Sequence, residues 1–417
     1  MDVHDVVVIG AGLAGLRCAT VLGEAGRDVV VLEAGDEVGG RQRTDGVDGY
    51  LLDRGFQVLN PAYSAVARAV DLAALRLRPF PVGVRVRRAH GVAELAHPLR
   101  HPTSIPASLR SGLVSPRDVA ALTRWALPAI IAPGSLAAGP DRTLREGWDA
   151  AAFRGPLRTE ALEPFLAGVL ADDRGDTSEA FARLLIRSFA RGRPGVPASG
   201  IAALPVALAA RAGAAGVKLR LKRRVTGIHH RSHETEIAVD GAETVGARAV
   251  VVATDGASAA ELVGVPAPET RGLQTWWFAV DEAPTTSAML MVDGRRAGPI
   301  VNTVVMTLTA PGYAPPGRHL VQATCLLPHG TRPPSEGQVR RQLTEMWETD
   351  ASAWQLLRRD DIPDALPAQR PPLPRTSPAR VAEGAYVAGD HRDTASIQGA
   401  LVSGERVAAA VLADLRG

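Results

Sequence analysis

Three glycines and one acid carry the first chemistry in the chain. Gly10-x-Gly12-x-x-Gly15 follows the apolar run Asp5-Val-Val-Val-Ile9 and opens a helical pattern over 13–25. Gly26 ends that pattern, and a second apolar run, Asp28-Val-Val-Val-Leu-Glu33, follows. Gly10 permits a tight strand-to-helix turn, Gly12 lets the backbone approach a pyrophosphate, and Gly15 brings helix and strand close together. The start of such a helix offers free N–H groups and a positive dipole end to phosphates. Glu33, closing the second strand, is placed to accept hydrogen bonds from an adenosine ribose, and it disfavours a ribose phosphate. The chemistry is dinucleotide binding in a complete βαβ unit.

Four further segments narrow the dinucleotide. Val38-Gly-Gly-Arg-Gln-Arg-Thr44 comes directly after Glu33, and Leu52-Asp-Arg-Gly-Phe-Gln-Val58 soon after it. Arg224-Val-Thr-Gly-Ile228 lies mid-chain. Ala385-Tyr-Val-Ala-Gly-Asp-His391 and Ala395-Ser-Ile-Gln-Gly-Ala-Leu-Val-Ser-Gly404 lie near the end. With the glycine loop, these segments resemble the flavin amine oxidase, phytoene desaturase and protoporphyrinogen oxidase superfamily of NAD(P)/FAD-dependent oxidoreductases.

The resemblance implies bound FAD. It places Gly40 and Arg41 at the diphosphate, Gly55 and Phe56 near the isoalloxazine ring, and the Val225 backbone at the adenine. It places Gly389 and Asp390 at the ribityl–phosphate region. Ile397, Gln398 and Ala400 would start a helix aimed at the flavin C2 carbonyl. A positive helix end there favours the negative charge of the reduced ring. Gln398 departs from the pattern, since many relatives carry Glu there. No Cys lies near the C-terminal motif, so the FAD is expected to be non-covalent.

The implied fold class is α/β: a Rossmann-like FAD-binding domain of the GR2 type, two-dinucleotide-binding, with an inserted α+β substrate domain. The FAD-binding domain is expected from residues 1–60, 200–265 and 376–417. The substrate domain is expected from 61–199 and 266–375, which are richer in Pro and Arg. Short strands are expected at 217–221, 225–228, 249–253 and 385–388. A hairpin joins 235–239 to 244–245 across Asp240-Gly241, and a long helix covers 397–415. A chain of 417 residues exceeds what one core usually supports.

Composition excludes several classes. Hydrophobic residues at 46% and charged residues at 22% fit a soluble globular protein. The net charge is +3 and the basic residues are dispersed, so nucleic acid is not an expected partner. Cys18 and Cys325 are far apart, which fits a reduced cytoplasm. No basic n-region precedes the first strand, so no signal peptide is expected. The apolar stretch 125–138 is too short for a span and contains Pro128 and Pro133, so membrane contact is at most peripheral. Residues 104–132 mix Arg110, Arg117 and Arg124 with Leu, Ile and Trp125. They read either as an interfacial segment or as a helix pair over a substrate cavity. His229, His230 and His233 lack an accompanying Cys or paired acid; they read as a solvated loop, and no metal is expected.

Two residues keep alternative readings. Trp277, in Trp276-Trp277-Phe278, faces opposite to its neighbours on a strand and either packs in a core or lines the substrate pocket. His391 is the one candidate catalytic side chain, or else it hydrogen-bonds the backbone.

The function expected is dehydrogenation of an organic, fairly apolar substrate by hydride transfer to flavin N5, with dioxygen or a quinone as electron acceptor. An amine oxidase is the alternative. That branch uses a lysine, and the only lysines here, Lys218 and Lys222, precede the adenine-contact strand. A non-catalytic prenyl-group carrier of the same fold ranks last, because the FAD motifs are intact.

Overall fold

The computed structural model describes residues 3–97, 100–101, 105–132, 140–230, 235–241, 243–373 and 376–416. Two sheets organise it. In the first, five strands run parallel in the order Lys218–Arg220, Val29–Leu32, Val3–Ile9, Glu243–Val252 and Ala385–Val387. Apart from exposed Val3, their valines are buried on both faces. Val6, Val8, Val29, Val31 and Val251 join one core cluster, and Val7, Val30, Val250 and Val252 join another on the opposite side. That two-sided burial explains the continuous apolar runs.

The expected hairpin and the strand at 249–253 are one element in the structure. Glu243–Val252 is a single strand that changes neighbours along its length. Residues 243–247 pair antiparallel with Thr235–Val239, and residues 246–252 pair parallel with Val3–Ile9. Residues 250–252 pair parallel with Ala385–Val387 on the other side. The sequence signal broke at Gly246 and Arg248, which lie inside the strand and not at its end.

Helices Leu13–Glu24, Ala203–Ala214 and Ile397–Asp414 cover one face of this sheet. The first and last cross closely. A Cβ on Gly404 would lie 2.3 Å from the Ala14 carbonyl oxygen, so only glycine fits that crossing. Buried Arg17 and exposed Arg68 both pair with Glu405, which ties the crossing to helix Ser64–Ala69.

The second sheet has seven strands in the order Gln355–Pro367, Thr270–Val280, His319–Leu327, Ile300–Val305, Leu290–Asp293, Gly83–Arg88 and Gly91–Ala96. Helix Glu336–Trp347 covers one face, where Trp276, Phe278, Val321, Cys325, Leu343 and Met346 form a core. On the opposite face Trp277, Ala279, Val304 and Leu320 pack against Tyr50 and Leu52 of the hairpin Thr44–Val47/Tyr50–Asp53. Helices Pro116–Ile131, Leu144–Ala150, Glu163–Leu170 and Glu179–Arg191 complete this half around Trp125, Trp148 and Phe153. Each strand of the seven-stranded sheet comes from 83–96 or 270–367, and each parallel strand of the first from 3–32, 218–252 or 385–387.

Candidate active site

The glycine loop has the geometry its sequence demands. Gly10 has φ 101°, and a Cβ there would press the Ala253 carbonyl oxygen at 2.8 Å. A Cβ on Gly15 would stand 2.0 Å from the Gly10 oxygen. Gly12 differs, because open space surrounds the position its Cβ would take. Gly12 is also the N-cap of Leu13–Glu24, and no side chain caps that helix. The first N–H groups of the helix therefore have no acceptor among the described residues and suit a phosphate.

Glu33 organises the entrance to this space. Its half-buried carboxylate accepts from Ala11 N and Gly35 N, both at 2.7 Å. Gly39 N donates to the Ala11 carbonyl at 2.9 Å, which folds the 39–41 turn over the loop. Gly40 then lies with its Cβ position 3.6 Å from Gly12 Cα.

Arg41 and Asp390 meet across the chain. Arg41 Nη2 donates to Asp390 Oδ1 at 2.6 Å, and Nη1 donates to the Ala365 carbonyl at 2.8 Å. Asp390 is buried, and its charge holds the Arg41 guanidinium firmly protonated. One arginine thus touches the glycine-rich turn, the C-terminal motif and the seven-stranded sheet. Gly389 N donates to buried Ser403 Oγ at 3.1 Å, which fixes the turn carrying Asp390.

The C-terminal helix starts with a tight cap. Ser396 Oγ accepts from Gly399 N at 2.9 Å, and a Cβ on Gly399 would lie 1.9 Å from the Thr394 oxygen. The N–H groups of Ile397 and Gln398 have no hydrogen-bond acceptor among the described residues. Ala400 belongs to the first helical turn, its N–H bonded to the Ser396 carbonyl. The Gln398 amide faces another helix: Oε1 accepts from Ala65 N at 3.0 Å and Nε2 donates to Ser64 Oγ at 3.4 Å. The departure from Glu therefore has a local use, since an amide can both accept and donate at the start of that helix.

The 50–58 stretch lies on the seven-stranded sheet. A Cβ on Gly55 would meet Ile362 Cδ1 at 2.9 Å, and the Phe56 ring packs edge-on to Phe80 at 6.1 Å. Arg358 Nη2 donates to the Leu52 and Asp53 carbonyls at 3.0 and 3.1 Å. Asp53 accepts from Thr44 Oγ1, Ile201 N and Tyr313 OH, and burial pushes its carboxyl up to about 6. Val225 begins the outer strand Val225–His230, paired with Val239. Trp277 is fully buried and does face opposite to Trp276 and Phe278, next to the Phe56 cluster.

His391 is wedged against glycine. Its ring sits 2.4 Å from the Cβ position of Gly389 and 3.5 Å from that of Gly256. Burial lowers its pKa, so the imidazole is neutral at neutral pH, and Nε2 is buried without a partner among the described residues. Lys218 pairs with Asp28 at 3.0 Å on the edge strand, and Lys222 sits exposed in a left-handed turn at φ 54°. His229 is exposed; the His230 side chain and His233 lie outside the described residues.

Sequence reasoning missed a polar row. Asp360, Thr275, Thr324 and Asn302 are direct partners across four neighbouring strands, so all four face the same side as Trp277. The next row holds Arg358, Trp277 and Gln322, and the preceding one Ile362, Leu273 and Leu326. Thr275, Thr324, Asn302 and Gln322 are buried, and Thr275 Oγ1, Asn302 Oδ1 and Gln322 Oε1 have no partner among the described residues. Burial also raises the Asp360 pKa against the pull of Arg358. Alternation within each strand could have flagged these positions one at a time. Their alignment depends on register between strands far apart in sequence, which no local signal contains.

A glycine-loop βαβ unit with a bare helix start, joined through Arg41 to a C-terminal flavin-type motif and a second sheet, defines the FAD-dependent oxidoreductase class. The model of the flavin containing amine oxidoreductase family matches residues 13–412, and the chain belongs to that family. Putrescine oxidase of Kocuria rosea is 50% identical over 68 residues, which cover 16% of this chain and only 14% of that relative. Among solved structures, an oxidoreductase of Methanosarcina mazei superposes with a TM-score of 0.72 at 19% identity, covering 96% of this chain and 99% of the other. A candidate protoporphyrinogen oxidase of Exiguobacterium sp. 255-15 superposes at 0.71 with 16% identity, covering 99% of each chain. Those structural likenesses concern the fold.

Proposed function

We propose that the chain dehydrogenates an organic, largely apolar substrate with non-covalent FAD and without a catalytic lysine. The observation that carries this reading is the pair of helix starts with unpartnered N–H groups, at Gly12 and at Ile397, with Arg41 and Asp390 bonded to each other in the same motif set. FAD supplies the hydride acceptor, its N5, when bound. The residues around it do the rest. The N–H groups after Gly12 and the Arg41 guanidinium neutralise a diphosphate, and Glu33 and Asp390 accept from ribose and ribityl hydroxyls. Gly40, Gly55 and Phe56 shape the cradle, and the Val225 backbone borders the adenine. The first turn of the C-terminal helix, from Ile397 through Gln398 to Ala400, favours negative charge placed before it. In this reading residues 1–60, 200–265 and 376–417 form the cofactor unit, and 61–199 and 266–375 the substrate unit.

The half-buried row Ile362, Leu273 and Leu326 provides an apolar wall, and the buried, neutral imidazole of His391 is the side chain assigned as a base in this reading. Both lysines sit on the cofactor sheet's edge or beyond it, and neither lies on the seven-stranded sheet. The second reading, amine oxidation, draws on the polar row: Thr275, Asn302 and Gln322 offer buried acceptors for an N–H donor beside that wall. Reoxidation falls to dioxygen or a quinone.

The experiment is anaerobic reduction of the holoenzyme by a panel of isoprenoids, porphyrinogens and amines, repeated with a Lys218→Arg/Lys222→Arg variant. Bleaching by an apolar substrate at rates within a few-fold in both proteins is the expected result. Reduction by amines alone, lost in the lysine variant while FAD stays bound, would replace this reading with the amine oxidase one.

A further inference from the structure

The exposed apolar surface is concentrated in one place. Eight large apolar side chains are exposed among the described residues, and five of them, Leu109, Val119, Leu127, Ile130 and Ile131, lie on the consecutive helices Ile105–Arg110 and Pro116–Ile131. Ile131 is 71% exposed and Leu109 61%. At 3.6 residues per turn, Val119, Ala120, Leu127, Ile130 and Ile131 fall within an arc of about 120° on the longer helix, which they share with one exposed polar residue, Thr123. Asp118, Ala121, Trp125 and Ala129 occupy the opposite arc and are buried against the substrate-side core. The outward face is therefore largely apolar while the inward face is already satisfied, the reverse of an ordinary surface helix.

The charge on this face has one sign. Arg110, Arg117 and Arg124 are exposed. The only acid between residues 105 and 132 is Asp118, which is buried and accepts from Ser115 Oγ and Gly155 N. A second copy of the chain docking face to face would oppose arginine to arginine, which argues against self-association. No described helix is long and apolar enough to cross a membrane. Apolar side chains flanked by arginines without exposed acids suit the boundary between headgroups and acyl chains.

We propose that these two helices seat the protein on an anionic lipid bilayer surface. Leu109, Val119, Leu127, Ile130 and Ile131 enter the headgroup boundary, and Arg110, Arg117 and Arg124 meet anionic headgroups. The proposal stands independently of substrate identity.

Flotation of the holoenzyme tests it, using phosphatidylcholine vesicles with and without about one-third phosphatidylserine at low salt. The protein is expected to float with the anionic vesicles and to return to the soluble fraction in about 0.5 M salt. Ile130→Glu with Ile131→Glu is expected to cut binding at least about tenfold while the protein keeps its flavin colour. An Arg110→Gln, Arg117→Gln, Arg124→Gln variant is expected to lose the preference for anionic lipid. Wild-type protein that stays soluble with anionic vesicles would overturn the proposal, as would flotation unchanged by either variant. A concentration-dependent dimer in sedimentation, abolished by the Ile130 and Ile131 substitutions, would assign the face to a second copy instead.

Discussion

The two sheets solve different problems with different residues. The parallel sheet buries valine on both faces and leaves backbone N–H groups without acceptors among the described residues at the helix starts after Gly12 and at Ile397. The seven-stranded sheet buries tryptophan and phenylalanine against one helix and turns Thr275, Thr324, Asn302 and Gln322 to the other side. Backbone recognition depends on glycine positions, and a single Cβ can abolish it. Side-chain recognition depends on register, and it can be retuned residue by residue. The first half should therefore fail sharply on substitution, and the second should change specificity while leaving the cofactor in place.

The sharpest break lies at Gly15. Gly15→Val puts a branched side chain where even a Cβ stands 2.0 Å from a backbone oxygen. We expect no recoverable FAD-loaded protein, or a loss of FAD affinity beyond about a hundredfold. Flavin absorbance of the purified chain checks this, and normal loading would show that the loop tolerates far more than its geometry permits.

Glu33→Ala comes next. It removes the acceptor of Ala11 N and Gly35 N and, in the proposed reading, of a ribose hydroxyl, contacts worth roughly 1.5–3 kcal/mol, so FAD should bind about ten- to a hundredfold more weakly. A titration with unchanged affinity would reduce Glu33 to a strand-end brace.

On the other sheet, Thr275→Val and Asn302→Leu should leave FAD affinity unchanged and alter the rate of flavin reduction or its substrate dependence by about tenfold. Each variant should be as stable as the parent or slightly more stable, because it deletes a buried polar atom without a partner. A loss of FAD with unchanged chemistry would erase the division between the two halves.

The last effect is one of stability, not of binding or rate, and concerns the join between them. Asp53 links the 50–53 strand to Ile201 and Tyr313, and burial raises its carboxyl to about 6. The folded chain therefore holds this proton more tightly than the unfolded chain. Its contribution to stability is full at low pH and is lost as pH rises through about 6, by at most roughly 3 kcal/mol. The melting temperature of wild type relative to Asp53→Asn should fall between about pH 4 and pH 7. A constant difference would mean that the three donors hold Asp53 ionised throughout.

Legibility followed the same division. The close approaches at Gly10 and Gly15 were readable because they are set within one βαβ unit of local sequence, whereas the hydrogen bonds of Glu33 to Ala11 N and Gly35 N were not. The start of the Ile397 helix came from the resemblance of the C-terminal segment to the family's motif, and the structure adds its Ser396 cap. The pairing of Arg41 with Asp390 joins residues 349 apart, and sequence placed each near the cofactor without showing that they touch. The polar row was invisible because Thr275, Thr324, Asn302 and Asp360 come from four strands whose register is set by bulges and long connections. Trp277 was correctly placed opposite its neighbours by alternation, and alternation says nothing about what packs on that face.

The most direct test of the whole account is to denature the purified protein with acid and separate chain from supernatant. A colourless polypeptide and FAD in solution are expected, because Cys18 and Cys325 are both buried in apolar cores. Colour retained on the polypeptide, release of FMN, or a chain that carries no flavin and takes up no FAD would contradict it.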